Sequence, residues 1–152
     1  MPWPLVAALS VFAGLSVVLA MVDARTRRLP DAILVPGGAA VVVLLGGAAV
    51  AIGEPARLVG IAAGALSAFA GCLAMHLARP AAFGGGDVKL AALCGAVLGW
   101  HGLEAVASGI ALAFLAGGIG AAGVLLAGAR GRSIAFGPFL LFGAWWRVIA
   151  GL

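Results

Sequence analysis

The sequence predicts an all-α fold: a polytopic membrane helix bundle with about six transmembrane segments and both termini outside. Three observations point there. Of the 152 residues, 64% are hydrophobic and only 9% charged, where a soluble domain carries about 25% charged residues. The charges fall in clusters. The apolar runs between them approach or reach the roughly 20 residues that cross a hydrocarbon core of about 30 Å. The linkers are short, so the whole of 1–152 reads as a single membrane-embedded domain. This composition excludes a nucleic-acid partner, disorder, a disulfide scaffold and a soluble dinucleotide-binding enzyme. The net charge of +4 then reports topology rather than a polyanion partner.

The first segment, Trp3–Val22, has no basic stretch before it and is followed by Arg25, Arg27 and Arg28. That order orients a retained helix with its start outside, not a cleaved signal. Ala32–Gly53 and Leu58–Ala78 follow, separated by Glu54 and Arg57. The fourth segment, Val88–Trp100, is short, roughly 20 Å at 1.5 Å per residue. Ala105–Ala129 and Ile134–Leu152 complete the set. Seven of the nine basic residues, Arg25, Arg27, Arg28, Arg79, Lys89, Arg130 and Arg132, then fall on one side, which the positive-inside rule makes cytoplasmic. Trp3, Trp100, Trp145 and Trp146 fall at or near the outer ends, where indoles suit the headgroup level. With Trp100 at the outer interface, the short fourth segment puts its start, Asp87, below the inner membrane surface.

Cys72 and Cys94 lie far apart in apolar segments with no metal-ligand or CxxC spacing, and read as small packing residues. His76 and His101 read as interfacial. The 25 glycines read mainly as helix-packing residues, because small side chains let helices approach closely in lipid. Gly60/Gly64 and Gly95/Gly99 are GxxxG pairs, and Gly109, Ala113, Gly117 and Ala121 repeat at four-residue spacing.

Two acids are conspicuous. Asp23 directly follows the first segment, and Asp87 ends the run Phe83-Gly84-Gly85-Gly86-Asp87. Both fall on the cytoplasmic side. An ionisable group at membrane depth is expensive and is a functional candidate by default. Two carboxylates brought together can share one proton, one acting as general base on water and the other as general acid. Three glycines allow a tight turn beside Asp87 and close passage of a substrate backbone. The competing reading makes both acids ordinary loop or cap residues.

Three separated blocks resemble the type IV prepilin peptidases, GxGD-type aspartic proteases of bacterial membranes. The first runs from Asp23-Ala-Arg to Leu29-Pro30-Asp31 and on to Pro36. The second is Phe83-Gly84-Gly85-Gly86-Asp87-Val88-Lys89-Leu90, continuing to Leu98-Gly99-Trp100. The third is Ile134-Ala135-Phe136-Gly137-Pro138-Phe139-Leu140, with Ala135 where the family has proline. The paired-cysteine region of bifunctional members is missing, so the chain is similar to minimal peptidases of tight-adherence systems without N-methyltransferase activity.

The resemblance implies hydrolysis of a short basic leader after its terminal glycine, in prepilin or pseudopilin substrates. It places the chain in the bacterial cytoplasmic membrane with its site facing the cytoplasm. It makes Asp23 and Asp87 catalytic, and calls for no cofactor and no metal. Gly84, Gly85, Gly86 and Lys89 form the active-site loop, with Pro30, Asp31, Gly137 and Pro138 in support. Asp31 reads as the cap of the second helix, with attraction of the basic leader as the other possibility. Lys89 reads as biasing Asp87, binding an anionic headgroup or snorkelling to the interface. The residues leave other classes open: a small transporter, a phospholipid-headgroup transferase using bound Mg²⁺, or a non-enzymatic subunit of a secretion system. They do not specify an oligomeric state.

Overall fold

The computed structural model describes residues 3–80, 83–128 and 134–151. Its helices are α1 (Trp3–Thr26), α2 (Asp31–Ala51), α3 (Ala56–Ala78), α4 (Gly85–Gly99), α5 (Leu103–Leu126) and α6 (Gly137–Ala150). No strand occurs among the described residues. The four helices α1, α2, α3 and α5 are long and apolar enough to cross a membrane. The chain is thus an all-α, multi-pass bundle. Arg130 and Arg132, part of the orientation argument, lie outside the described residues, as do the ends of two expected segments, Ala129 and Leu152.

The short helices explain the architecture. With 15 residues in α4 and 14 in α6, each extends only about 20 Å. Helix α4 is the centre: Val88, Leu90, Ala91 and all of 93–99 are buried. A helix apolar all round suits a position enclosed by other helices.

Glycine sets its distance from α3, the neighbour with which it shares the most contact. A Cβ placed on Gly60 would stand 2.6 Å from the Gly99 carbonyl oxygen, and one on Gly64 would collide with the Gly95 carbonyl. The two GxxxG pairs of the sequence therefore face each other. Gly109 and Ala113 of α5 receive α6 at Gly143 in the same way.

Two sequence expectations change here. Helix α1 runs past Val22 to Thr26, with Asp23 in its last turns. It ends where Arg27 turns to a φ of 52° while its N–H still donates to the Asp23 carbonyl at 2.8 Å, a left-handed stop. The tryptophans also divide. Trp3 and Trp146 are exposed, but Trp100 is buried. Trp145 stacks on Phe12 at 5.2 Å and donates from Nε1 to Ser16 Oγ at 3.1 Å. It serves the α1–α6 contact inside the bundle, because a half-buried indole needs an acceptor.

The helix ends sort the charges. Arg25, Arg27, Arg28, Arg79 and Lys89 lie at one end, with the starts of α2, α4 and α6. Arg57 and Arg147 lie at the other. There Arg57 pairs with Glu54 at 2.6 Å, donates to the Trp100 carbonyl at 2.8 Å and covers the Trp100 ring. His101 sits in the same turn region, where burial and the charges of Arg147 and Arg57 push its pKa down.

Candidate active site

The first acid is fixed from across the bundle. Asp23 is only 3% exposed. Its Oδ2 accepts a hydrogen bond at 3.0 Å from the Gly137 N–H. Gly137 opens α6, with Pro138 beside it. The first amides of a helix lack partners within it, and proline there sacrifices no useful donor. One free amide at the start of α6 is therefore used to hold the Asp23 carboxylate. Position 137 must be glycine for this contact, since a Cβ would lie 2.6 Å from Asp23 Oδ2.

The second acid sits in the first turn of α4. Asp87 Oδ2 accepts from the Gly84 N–H at 3.3 Å, so the capping reading of Asp87 is correct as far as it goes. The same carboxylate also faces a cleft. A 420 Å³ cleft, partly open to solvent, is lined by Asp23, Asp87, Asp31, Lys89, Arg27, Arg28, Leu29 and Gly84, Gly85 and Gly86. The charge of Asp23 reaches Asp87 across it. Acids 64 positions apart in the chain thus meet in one place.

The active-site loop expected over Gly84, Gly85, Gly86 and Lys89 is mostly the start of a helix. Gly84 is extended, with φ −75° and ψ 148°, while Gly85 and Gly86 are already helical. Gly86 is small because Leu29 packs on it: a Cβ would lie 2.8 Å from the Leu29 Cβ. Only Gly85 faces open space. Asp31 is also corrected. The cap position of α2 is Pro30, with no side-chain capping bond. The Pro30 carbonyl takes the amides of Ile33 and Leu34 at 3.0 Å. The Asp31 carboxylate instead pairs with Lys89 Nζ at 2.5 Å.

Sequence reasoning missed the scaffold that aims the two loops. Phe83 precedes Gly84 and Phe136 precedes Gly137, and their rings meet edge to face at 5.2 Å. Phe114 of α5 closes the cluster, 6.1 Å from Phe83 and 5.0 Å from Phe136. Such aromatic pairs add stability beyond buried area. His76 Nδ1 holds the Phe83 carbonyl at 2.6 Å, tying the end of α3 to the same loop. The available signal was the Phe-Gly pair shared by two of the three blocks. Beside the cleft a 320 Å³ apolar groove runs between α2, α3 and α4 past Gly38, Val42, Ala65 and Ala92, and Lys89 borders both. Among the described residues no cluster of three or more His, Cys, Asp or Glu side chains could hold a metal ion.

A membrane helix bundle with two carboxylates converging on a recessed, water-accessible cleft has the construction of an intramembrane acid–base site. The whole-chain comparison agrees in kind: residues 10–152 match the Type IV leader peptidase family, and the chain belongs to that family. No curated protein and no solved structure matches it.

Proposed function

We propose that this protein is a prepilin leader peptidase in which Asp23 and Asp87 are the catalytic pair. The observation that carries the proposal is the shared cleft: two distant blocks of a leader-peptidase chain deliver one acid each to one wet recess at one end of the bundle. One carboxylate takes a proton from water as the water oxygen bonds to the scissile carbonyl carbon. The other donates its proton to the carbonyl oxygen. Collapse of the tetrahedral intermediate breaks the C–N bond, and the leaving amine is protonated by the dyad. Either acid can hold the shared proton at the start, because a coupled pair titrates as a unit.

The substrate reading is a short basic leader ending in glycine, followed by an apolar helix, in prepilins or pseudopilins. The cleft lies at the basic end of the bundle, which we assign to the cytoplasmic side. The apolar groove bordering it offers the following helix a surface of small residues. On this reading the protein works in the bacterial cytoplasmic membrane, with no cofactor in the reaction. The proposed reaction is proteolysis of the leader, without N-methylation. Transport has less support, since the buried polar or charged side chains among the described residues are Ser16 and Asp23, not a path through the bundle.

Processing by the purified protein should follow a bell-shaped pH profile. It falls at low pH as both carboxyls become protonated, and at high pH as both ionise. Cleavage rates on a prepilin across that range test this, and a rate that only rises with pH would rule out the dyad. Gly137→Ala should lower processing about 100-fold with little change in the unfolding midpoint. The added methyl pushes the Asp23 carboxylate rather than the backbone, and a displacement near 1 Å can cost that much. Unchanged kcat/KM in this variant would mean that the Gly137–Asp23 contact does not position the acid.

A further inference from the structure

The Asp31–Lys89 pair has no evident task in the chemistry. It joins the first turn of α2 to the early part of α4 across 58 residues of chain, at the proposed catalytic cleft. It is also exposed, Lys89 at 47% and Asp31 at 60%. An exposed pair contributes little net stability, and α2 begins without help from the Asp31 side chain. Asp31 is the carboxylate of the cleft rim that is committed to a cation. Apart from the proposed catalytic pair Asp23 and Asp87, the other charges lining the cleft, Arg27 and Arg28, are positive.

We propose that Asp31 is the subsite for a cationic side chain of the leader, and that Lys89 occupies it until substrate arrives. This rests on the leader-peptidase reading above. The bound ammonium of Lys89 demonstrates the fit: a primary ammonium from a residue lining the cleft reaches Asp31 Oδ2 at 2.5 Å. An incoming lysine or arginine replaces one cation by another, so Asp31 is never left unpaired. Lys89, on a flexible four-carbon stem, withdraws into water. The exchange also answers how a basic leader enters a rim carrying Arg27 and Arg28. It offers a carboxylate in the same cleft as those cations, held by a lysine that also borders the apolar groove. The alternative is a plain strut between α2 and α4.

The two differ in substrate preference. Three versions of one prepilin are needed, with the leader's basic residues kept, replaced by glutamine, or replaced by glutamate. The readout is the ratio of kcat/KM between versions for each enzyme, which cancels any general change in activity. The wild type should favour the basic over the glutamine leader by about tenfold, the scale of one charged hydrogen bond. Asp31→Asn should bring that ratio close to one. The double variant Asp31→Lys/Lys89→Asp keeps a strut but reverses its ends, and should favour the glutamate leader. A double variant that keeps the wild-type preference, or an Asp31→Asn ratio that stays near tenfold, overturns the exchange in favour of the strut. A wild type that cleaves none of the three overturns the peptidase reading itself.

Discussion

Asp23→Asn and Asp87→Asn should each lower prepilin processing by at least about 100-fold, the low end of what a positioned acid or base contributes. The amide keeps the size of the carboxyl and an oxygen to accept from Gly137 or Gly84, so the contacts at 3.0 and 3.3 Å survive and the bundle should still form. What is lost is the exchangeable proton. Because the two act as one unit, the double variant should be about as slow as either single one, far from the product of the two effects. Initial rates on one substrate with the four enzymes decide this. If the losses multiplied, the two acids would be working independently, and a shared-proton mechanism would be wrong.

Gly64→Leu should prevent the bundle from assembling. The Gly64 position meets the Gly95 carbonyl and, at 2.9 Å, the Gly99 Cα, both backbone, so α3 and α4 must separate to admit any side chain. Overpacking a core typically costs about 1–3 kcal/mol, and here the obstacle is a rigid helix rather than a movable side chain. Helix α4 carries Asp87, so separation also disperses the site. Gly71→Leu, on the same helix but with open space around it, should be tolerated. Yield of monodisperse protein in detergent and its unfolding midpoint distinguish the two. Equal behaviour would mean that the α3–α4 contact does not hold the bundle together.

The fold was legible because it follows from solvent physics. A chain with 9% charged residues, whose apolar runs approach about 20 residues, spans lipid as helices, and Gly60, Gly64, Gly95 and Gly99 announced a close contact. The two acids stood out for a related reason: in so apolar a chain, acids at membrane depth are few and costly. Less visible were the details set by tertiary contact. The glycine run looked like a tight turn left open for substrate, yet Gly86 is small to admit Leu29, a residue 57 positions earlier. Asp31 looked like a cap because it follows Pro30 and opens a helix, but its partner is on another helix. Trp145 fitted an interfacial pattern, while its actual partners are Phe12 and Ser16. In each case local spacing was compatible with two roles, and a residue distant in sequence chose between them.

The central claim is that the cleft holding Asp23 and Asp87 cuts a prepilin leader. The most direct measurement is the mass of the product formed when detergent-purified protein is incubated with a full-length prepilin. The account predicts a single shortened product lacking the leader through its terminal glycine, formed by the wild type and missing with Asp87→Asn. An uncut substrate with active-site geometry intact, or the same product formed at the wild-type rate by Asp87→Asn, would contradict it.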